Sequence, residues 1–203
     1  MPTPAYNLAA VLSWPLLHGL FRLDARGVEK IPAEGGFVLA ANHVSNFDPW
    51  PLGMPLWPKR QLHFMAKAEL FKPPLAQFLR AGGAFPVRRG ERDMESFEHA
   101  VEICCRGSVV AMFPEGTRQS KGLRKRFQPR PRTGSARIAI TAGVPLVPAA
   151  IDGTDRLAQL PKLRVAYGDP IPVDDLGDER SAQAYLEATE RLMARIHELH
   201  ESL

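Results

Sequence analysis

The chain predicts an α/β fold with a largely parallel central sheet flanked by helices. Three observations carry that expectation. Apolar runs of strand length alternate with helical patterns along the whole chain. The run Val109-Val110-Ala111-Met112-Phe113 is continuously apolar, as a strand buried on both faces of a parallel sheet must be. Polar clusters follow directly on two such runs, and parallel sheets place their sites outside the carboxyl ends of the strands. At 203 residues the chain is long enough for one domain with a full core.

The elements follow in order. Ala5 to Phe21 is mostly apolar but contains Asn7, Pro15 and His18, and it falls short of the ~20 residues of a spanning helix. It has no positive leading region and no convincing cleavage site, so it does not read as a signal peptide. With Trp14 and Phe21 ahead of Arg22 and Arg26, it reads either as an amphipathic, membrane-interfacial helix or as a helix packed on the core. Residues 1–23 are therefore set apart from a main domain over residues 24–203. Phe37 to Ala41 is a buried strand entered through the turn Ala33-Glu34-Gly35-Gly36. Asp48 before Pro49 suits an N-cap with proline at the first helical position. Leu62 to Ala66 is a strand, Leu75 to Ala81 a helix ending at Gly82-Gly83, and Ala84 to Val87 a short strand. Glu91 to Arg106 is a helix whose apolar face holds Met94, Phe97, Val101 and Cys104, with Gly107 as its stop. After the Val109–Phe113 strand, Thr133 to Ala142 is a helix stopped by Gly143. Val144 to Ile151 is a strand that Pro145 and Pro148 place at an edge or make irregular. Leu163 to Tyr167 is the last strand. Ser181 to about Leu199 is a long helix with Tyr185, Leu192, Ile196 and Leu199 on one face.

Composition narrows the function classes. The net charge of +4 favours an anionic partner without naming it. The cysteines, Cys104 and Cys105, are adjacent and form no disulfide framework, which points to a reducing compartment. No histidine pair has metal-ligand spacing, so no metal site is expected. The basic residues lack interleaved stacking aromatics apart from Phe127, which argues against a nucleic-acid module.

Two strand ends carry chemistry. His43 and Asp48 are five residues apart, about 140° around a helix, so they meet through a loop and not along a helical face. An aspartate accepting from one ring nitrogen leaves the other as a base; the alternative is a structural histidine beside a capping aspartate. Ser45 lacks a G-x-S-x-G elbow, against a serine hydrolase. Arg88 and Arg89 follow a strand with alternating directions, so one reaches the site and the other solvent, or both are solvated. Glu115-Gly116-Thr117-Arg118 sets a carboxylate, a flexible backbone, a hydroxyl and a guanidinium after a buried strand, or forms a simple turn. Lys121 to Arg132 carries six basic residues. It reads as an exposed loop for lipid headgroups, coenzyme A phosphates or an acyl carrier protein, or as a solvated run.

Together these pieces resemble the 1-acylglycerol-3-phosphate acyltransferase (lysophosphatidic acid acyltransferase) family of glycerolipid acyltransferases. Four family blocks occur in order: N-H-x-x-x-x-D at Asn42 to Asp48, a glycine-led block ending in arginine at Gly83 to Arg89, F-P-E-G-T-R-S at Phe113 to Gln119, and V-P-x-x-P at Val144 to Pro148. The likeness runs from about Asp24 to Tyr167. It implies a glycerolipid acyltransferase-like fold over residues 24–203. The implied reaction moves a fatty acyl group from an acyl thioester to the sn-2 hydroxyl of 1-acylglycerol-3-phosphate, giving phosphatidic acid. His43 would be the general base and Asp48 its partner. Arg89, Glu115, Gly116, Thr117 and Arg118 would position the acceptor's glycerol phosphate, with Arg88 as a helper. No metal or prosthetic group is implied; acyl-CoA or acyl carrier protein serves as co-substrate. Both implied substrates carry acyl chains, and with the basic loop and the apolar N-terminus this implies peripheral or monotopic attachment to the cytoplasmic face of the cell membrane. Two positions depart from the family pattern: Gln119 replaces a serine, and Arg88 stands where an acidic residue is common. Rival readings are a different acceptor, such as another lysophospholipid or glycerol 3-phosphate, and a thioester hydrolase.

Overall fold

Short apolar runs become the strands β1 (Asp24–Arg26), β2 (Phe37–Ala41), β3 (Leu62–Lys67), β4 (Ala84–Val87), β5 (Val109–Met112), β6 (Leu146–Asp152) and β7 (Arg164–Tyr167). The helices are α1 (Pro4–Trp14), α2 (Pro49–Gly53), α3 (Leu75–Ala81), α4 (Met94–Cys105), α5 (Gly134–Ala142) and α6 (Ala182–Glu201). The computed structural model describes residues 1–88, 93–116, 131–174 and 181–203. The strands form one sheet in the order β1-β7-β6-β2-β5-β3-β4. Strands β2 to β6 run parallel to their sheet neighbours among themselves. β7 runs antiparallel to β6, and β1 parallel to β7. The reversal at β7 follows from its connection: a 3-10 turn over Thr154–Gln159 and no crossover helix joins β6 to β7.

Every residue of β2 is buried, because both faces of the sheet are covered. Side chains alternate along a strand. Val38 and Ala40 join the core under α4, α5 and α6, while Phe37, Leu39 and Ala41 join Leu52 and Leu56 on the other face. The result is a helix–sheet–helix sandwich with the expected fold class. α6 starts at Ser181, whose hydroxyl accepts from Ala184 N–H at 3.0 Å. It buries Ala184, Ala188, Thr189, Leu192 and Ile196, and the small alanines let it lie close to β6.

Three expectations need correction. α4 buries Ser96, Ala100, Ile103 and Cys104 and packs Phe97 and Val101 against the same core, while Met94 is exposed, so of the four apolar residues expected on its inner face only Met94 turns away. β6 is interior despite its prolines. Leu146 N–H donates to Ile171 O at 3.0 Å, and alternate residues point the same way, so the missing N–H of Pro148 faces the same side. There β7 has just ended, and Gly168 N–H donates to Pro148 O at 2.8 Å; no ladder donor is lost to β2. Asp48 precedes α2 but makes no capping bond with its side chain.

At the N-terminus the Thr3 hydroxyl caps α1 by accepting from Tyr6 N–H at 3.2 Å. Pro15 has no N–H to continue the ladder, and the chain widens there into a π-helical turn over Pro15–Leu20. Tyr6, Ala10, Leu17 and Phe21 face inward. Tyr6 Oη accepts from Leu62 N–H at 3.4 Å, and Trp57 Nε1–H donates to Asn7 Oδ1 at 2.9 Å. Leu8, Val11, Leu12, Trp14, Leu16 and Leu20 point to solvent. Among the described residues no helix is long and apolar enough to cross a membrane.

Candidate active site

The loop leaving β2 is anchored before it turns. Asn42 is buried, and its amide bonds the backbone of Ile151 twice: Nδ2–H donates to Ile151 O at 2.9 Å, and Oδ1 accepts from Ile151 N–H at 2.9 Å. This ties the end of β2 to the end of β6. The next residue, His43, is 8% exposed, and its Nδ1 lies 2.8 Å from Asp48 Oδ2. The loop thus makes the meeting that a helix would forbid.

Asp48 is fully buried and its carboxylate is saturated. Oδ2 also accepts from Val44 N–H at 2.8 Å and Ser45 N–H at 2.9 Å. Oδ1 accepts from the hydroxyl of Thr154, itself buried at the start of the turn after β6. An oxygen taking two backbone N–H donors is an acceptor, so the proton between Asp48 and His43 belongs to Nδ1. In the neutral imidazole that tautomer leaves the lone pair on Nε2. The Phe113 ring stacks on the imidazole with centroids 4.1 Å apart and planes at 22°, so the ring is held by its edge and by its face.

His43 lines a cleft of about 220 Å³ together with Met65, Val87, Arg88, Phe113, Gly116, Arg132 and Ser135. These residues come from the carboxyl ends of β3, β4 and β5 and from the start of α5. The Arg88 backbone is fixed by Asp93: its N–H donates to Asp93 Oδ2 at 2.7 Å. That bond and the N–H and hydroxyl of Ser96 pull the Asp93 carboxyl down to about 2, while Asp93 caps α4. Glu115 is buried in the turn that Pro114 and Gly116 carry along the cleft wall. Gly116 has φ +66°, and a Cβ there would stand 2.6 Å from Arg132 Nε, so glycine lets the arginine lie against the turn.

The structure therefore brings His43, Asp48, Arg88 and Gly116 to one place, with Glu115 in the adjoining turn. Arg89, Thr117 and Arg118 lie outside the described residues, as do residues 121–130 of the basic run. Thr154, Phe113, Asn42 and Ser135 are site residues that sequence reasoning did not assign, and Arg132 was read only as one of the six basic residues of its run. Asn42 and Phe113 stand inside family blocks, which was a usable signal. Thr154 carried none, since its bond to Asp48 spans 106 residues.

A family model described as Acyltransferase matches residues 22–152. The chain is 35% identical over 179 residues to the 1-acyl-sn-glycerol-3-phosphate acyltransferase of Bacillus subtilis (strain 168), covering 86% of each chain. It is 27% identical over 145 residues to the chloroplastic 1-acyl-sn-glycerol-3-phosphate acyltransferase BAT2 of Brassica napus, covering 70% of this chain and 40% of that protein. The crystal structure of the 1-acyl-sn-glycerophosphate (LPA) acyltransferase PlsC from Thermotoga maritima matches with a TM-score of 0.67 and 25% identity, over 96% of this chain and 78% of that one.

Proposed function

The chain belongs to the acyltransferase family, and from that premise we propose that it moves a fatty acyl group from an acyl thioester to the sn-2 hydroxyl of 1-acylglycerol-3-phosphate. The observation that carries the reading is the 2.8 Å contact from His43 Nδ1 to the saturated carboxylate of Asp48, in a histidine that lines the cleft. The names of the relatives support the acceptor.

His43 Nε2 takes the proton of the acceptor hydroxyl as its oxygen attacks the thioester carbonyl. The carbon–sulfur bond then breaks, and the proton passes from His43 to the departing thiolate. Asp48 stabilises the imidazolium that exists between those steps. No acyl-enzyme forms, because the acceptor itself is the nucleophile. Arg89, Glu115, Gly116, Thr117 and Arg118, with Arg88 as a helper, position the glycerol phosphate; a guanidinium fork suits a phosphate through paired, charge-assisted bonds. The donor is acyl-CoA or an acyl carrier protein.

Both substrates carry acyl chains, so the enzyme works at a membrane surface, attached peripherally to the cytoplasmic face. The exposed apolar row of α1 supports that placement.

The test is thiol release from palmitoyl-CoA in detergent micelles, with and without lysophosphatidic acid, with products identified by mass. Acceptor-dependent release that yields phosphatidic acid is the expected result. Release without acceptor, yielding free fatty acid, would replace the transferase with a hydrolase. If coenzyme A esters are inert, the same assay with an acyl carrier protein thioester decides the donor.

A further inference from the structure

We propose that the N-terminus of α5, with Ser135 and Arg132, is the subsite for the acceptor's phosphate monoester; this rests on the acceptor reading above. Ser135 is only 1% exposed, and its hydroxyl has no hydrogen-bond partner among the described residues. A buried, unsatisfied hydroxyl is uncommon and calls for a ligand or another cause. Ser135 lines the cleft that also holds His43.

Among the described residues, the helix end around that hydroxyl is equally unspent. Thr133 makes no side-chain capping bond, and the first turn of α5 holds no acidic residue. The first intrahelical bond runs from Arg137 N–H to Thr133 O at 2.9 Å, so the N–H groups before Arg137 have no partner within the helix. Such an end presents donors and partial positive charge to an anion. Arg132 stands beside it, held by its own N–H to Pro114 O at 2.7 Å. Gly116 keeps the space its side chain crosses. The described residues that line the cleft include Arg88 and Arg132 and no carboxylate.

The anion belongs to the acceptor for a chemical reason. In 1-acylglycerol-3-phosphate the phosphate ester sits on the carbon next to the one bearing the reacting hydroxyl. If that hydroxyl meets His43, the phosphate must lie in the same cleft. In an acyl thioester the nearest phosphate is a whole pantetheine arm away from the carbonyl.

The test compares Ser135→Ala and Arg132→Gln with the unaltered enzyme, using lysophosphatidic acid, monoacylglycerol and the acyl thioester as varied substrates. A second arm measures binding of inorganic phosphate to the protein without substrates, by calorimetry. Loss of one hydrogen bond to a charged group predicts a rise in KM for lysophosphatidic acid of about tenfold or more in Ser135→Ala. The rise should be larger in Arg132→Gln and absent with monoacylglycerol, and phosphate binding should weaken in parallel. A rise in the thioester's KM instead would overturn the assignment in favour of the donor's phosphates. A fall in kcat of equal size with monoacylglycerol would overturn it in favour of the carbonyl oxyanion. Unchanged KM values in Ser135→Ala, a near-isosteric variant, would also overturn it. If the unaltered enzyme acylates no lysophosphatidic acid, the acceptor reading fails, while the calorimetric arm still reports whether Ser135 and Arg132 bind phosphate.

Discussion

Asp48 accepts four hydrogen bonds, from His43, Val44, Ser45 and Thr154, and each fixes a different part of the base. The backbone donors set the loop, the histidine receives its tautomer, and Thr154 locks the carboxylate against rotation. Thr154→Val keeps the shape and removes the donor to a buried charged oxygen, so it should cost about 1.5–3 kcal/mol of stability in denaturant titration. In an Asp48→Ala background the same change should cost little, because the partner is gone; equal costs in both backgrounds would deny the coupling. His43→Ala should lower kcat by about 10²–10⁴-fold while the protein stays folded. Retained turnover in that variant would remove His43 from the mechanism. Much of this centre was legible at the residue scale, since His43 and Asp48 announce themselves by type and spacing beside a buried strand. Thr154 and Arg132 did not. The first is joined to the site only by folding, and the second stands at the end of a basic run that resembles any solvated loop.

The elements show why some readings travelled well. β2 is bounded by Gly36 and Asn42 and apolar throughout, so composition and length alone define it. α3 closes at Gly82 for the same reason. The prolines of β6 misled because proline's penalty depends on which side of the strand lacks a donor, and that side is set by where β7 stops. α4 misled because size is not depth: Ala100 reaches the sheet where Met94 does not. One strand also carries a pH dependence. Burial in β3, with His99 nearby, holds His63 below its ordinary value of 6.5. The unfolded chain therefore takes up this proton first on acidification. The stabilisation from neutral His63 is complete above pH 6.5 and drains away as the pH falls below it. His63→Gln should flatten that part of the stability profile; an unchanged slope between pH 6.5 and the histidine's folded value would show that another group carries it.

At the scale of the whole molecule, α1 has two incompatible sides. Tyr6, Ala10, Leu17 and Phe21 pack into the body with Met54 and Leu163 near them, and the Phe21 ring lies 6.5 Å from that of Phe47 in the loop between His43 and Asp48. Removing the segment would therefore open the core, and its surface role is better tested by substitution. Leu12 on α1 is 71% exposed and Phe78 on α3 is 72% exposed, on two helices in contact with each other. Placing glutamate at either position should weaken binding to vesicles with anionic headgroups by about tenfold, the worth of one buried apolar side chain. Binding that survives both changes would move the membrane contact elsewhere on the chain. The same surface has a consequence for the protein in plain buffer. Without lipid, another copy can dry those side chains, so concentrated samples should associate, and the scattered mass should fall once micelles are supplied. A stoichiometry read before that addition describes the solvent as much as the protein.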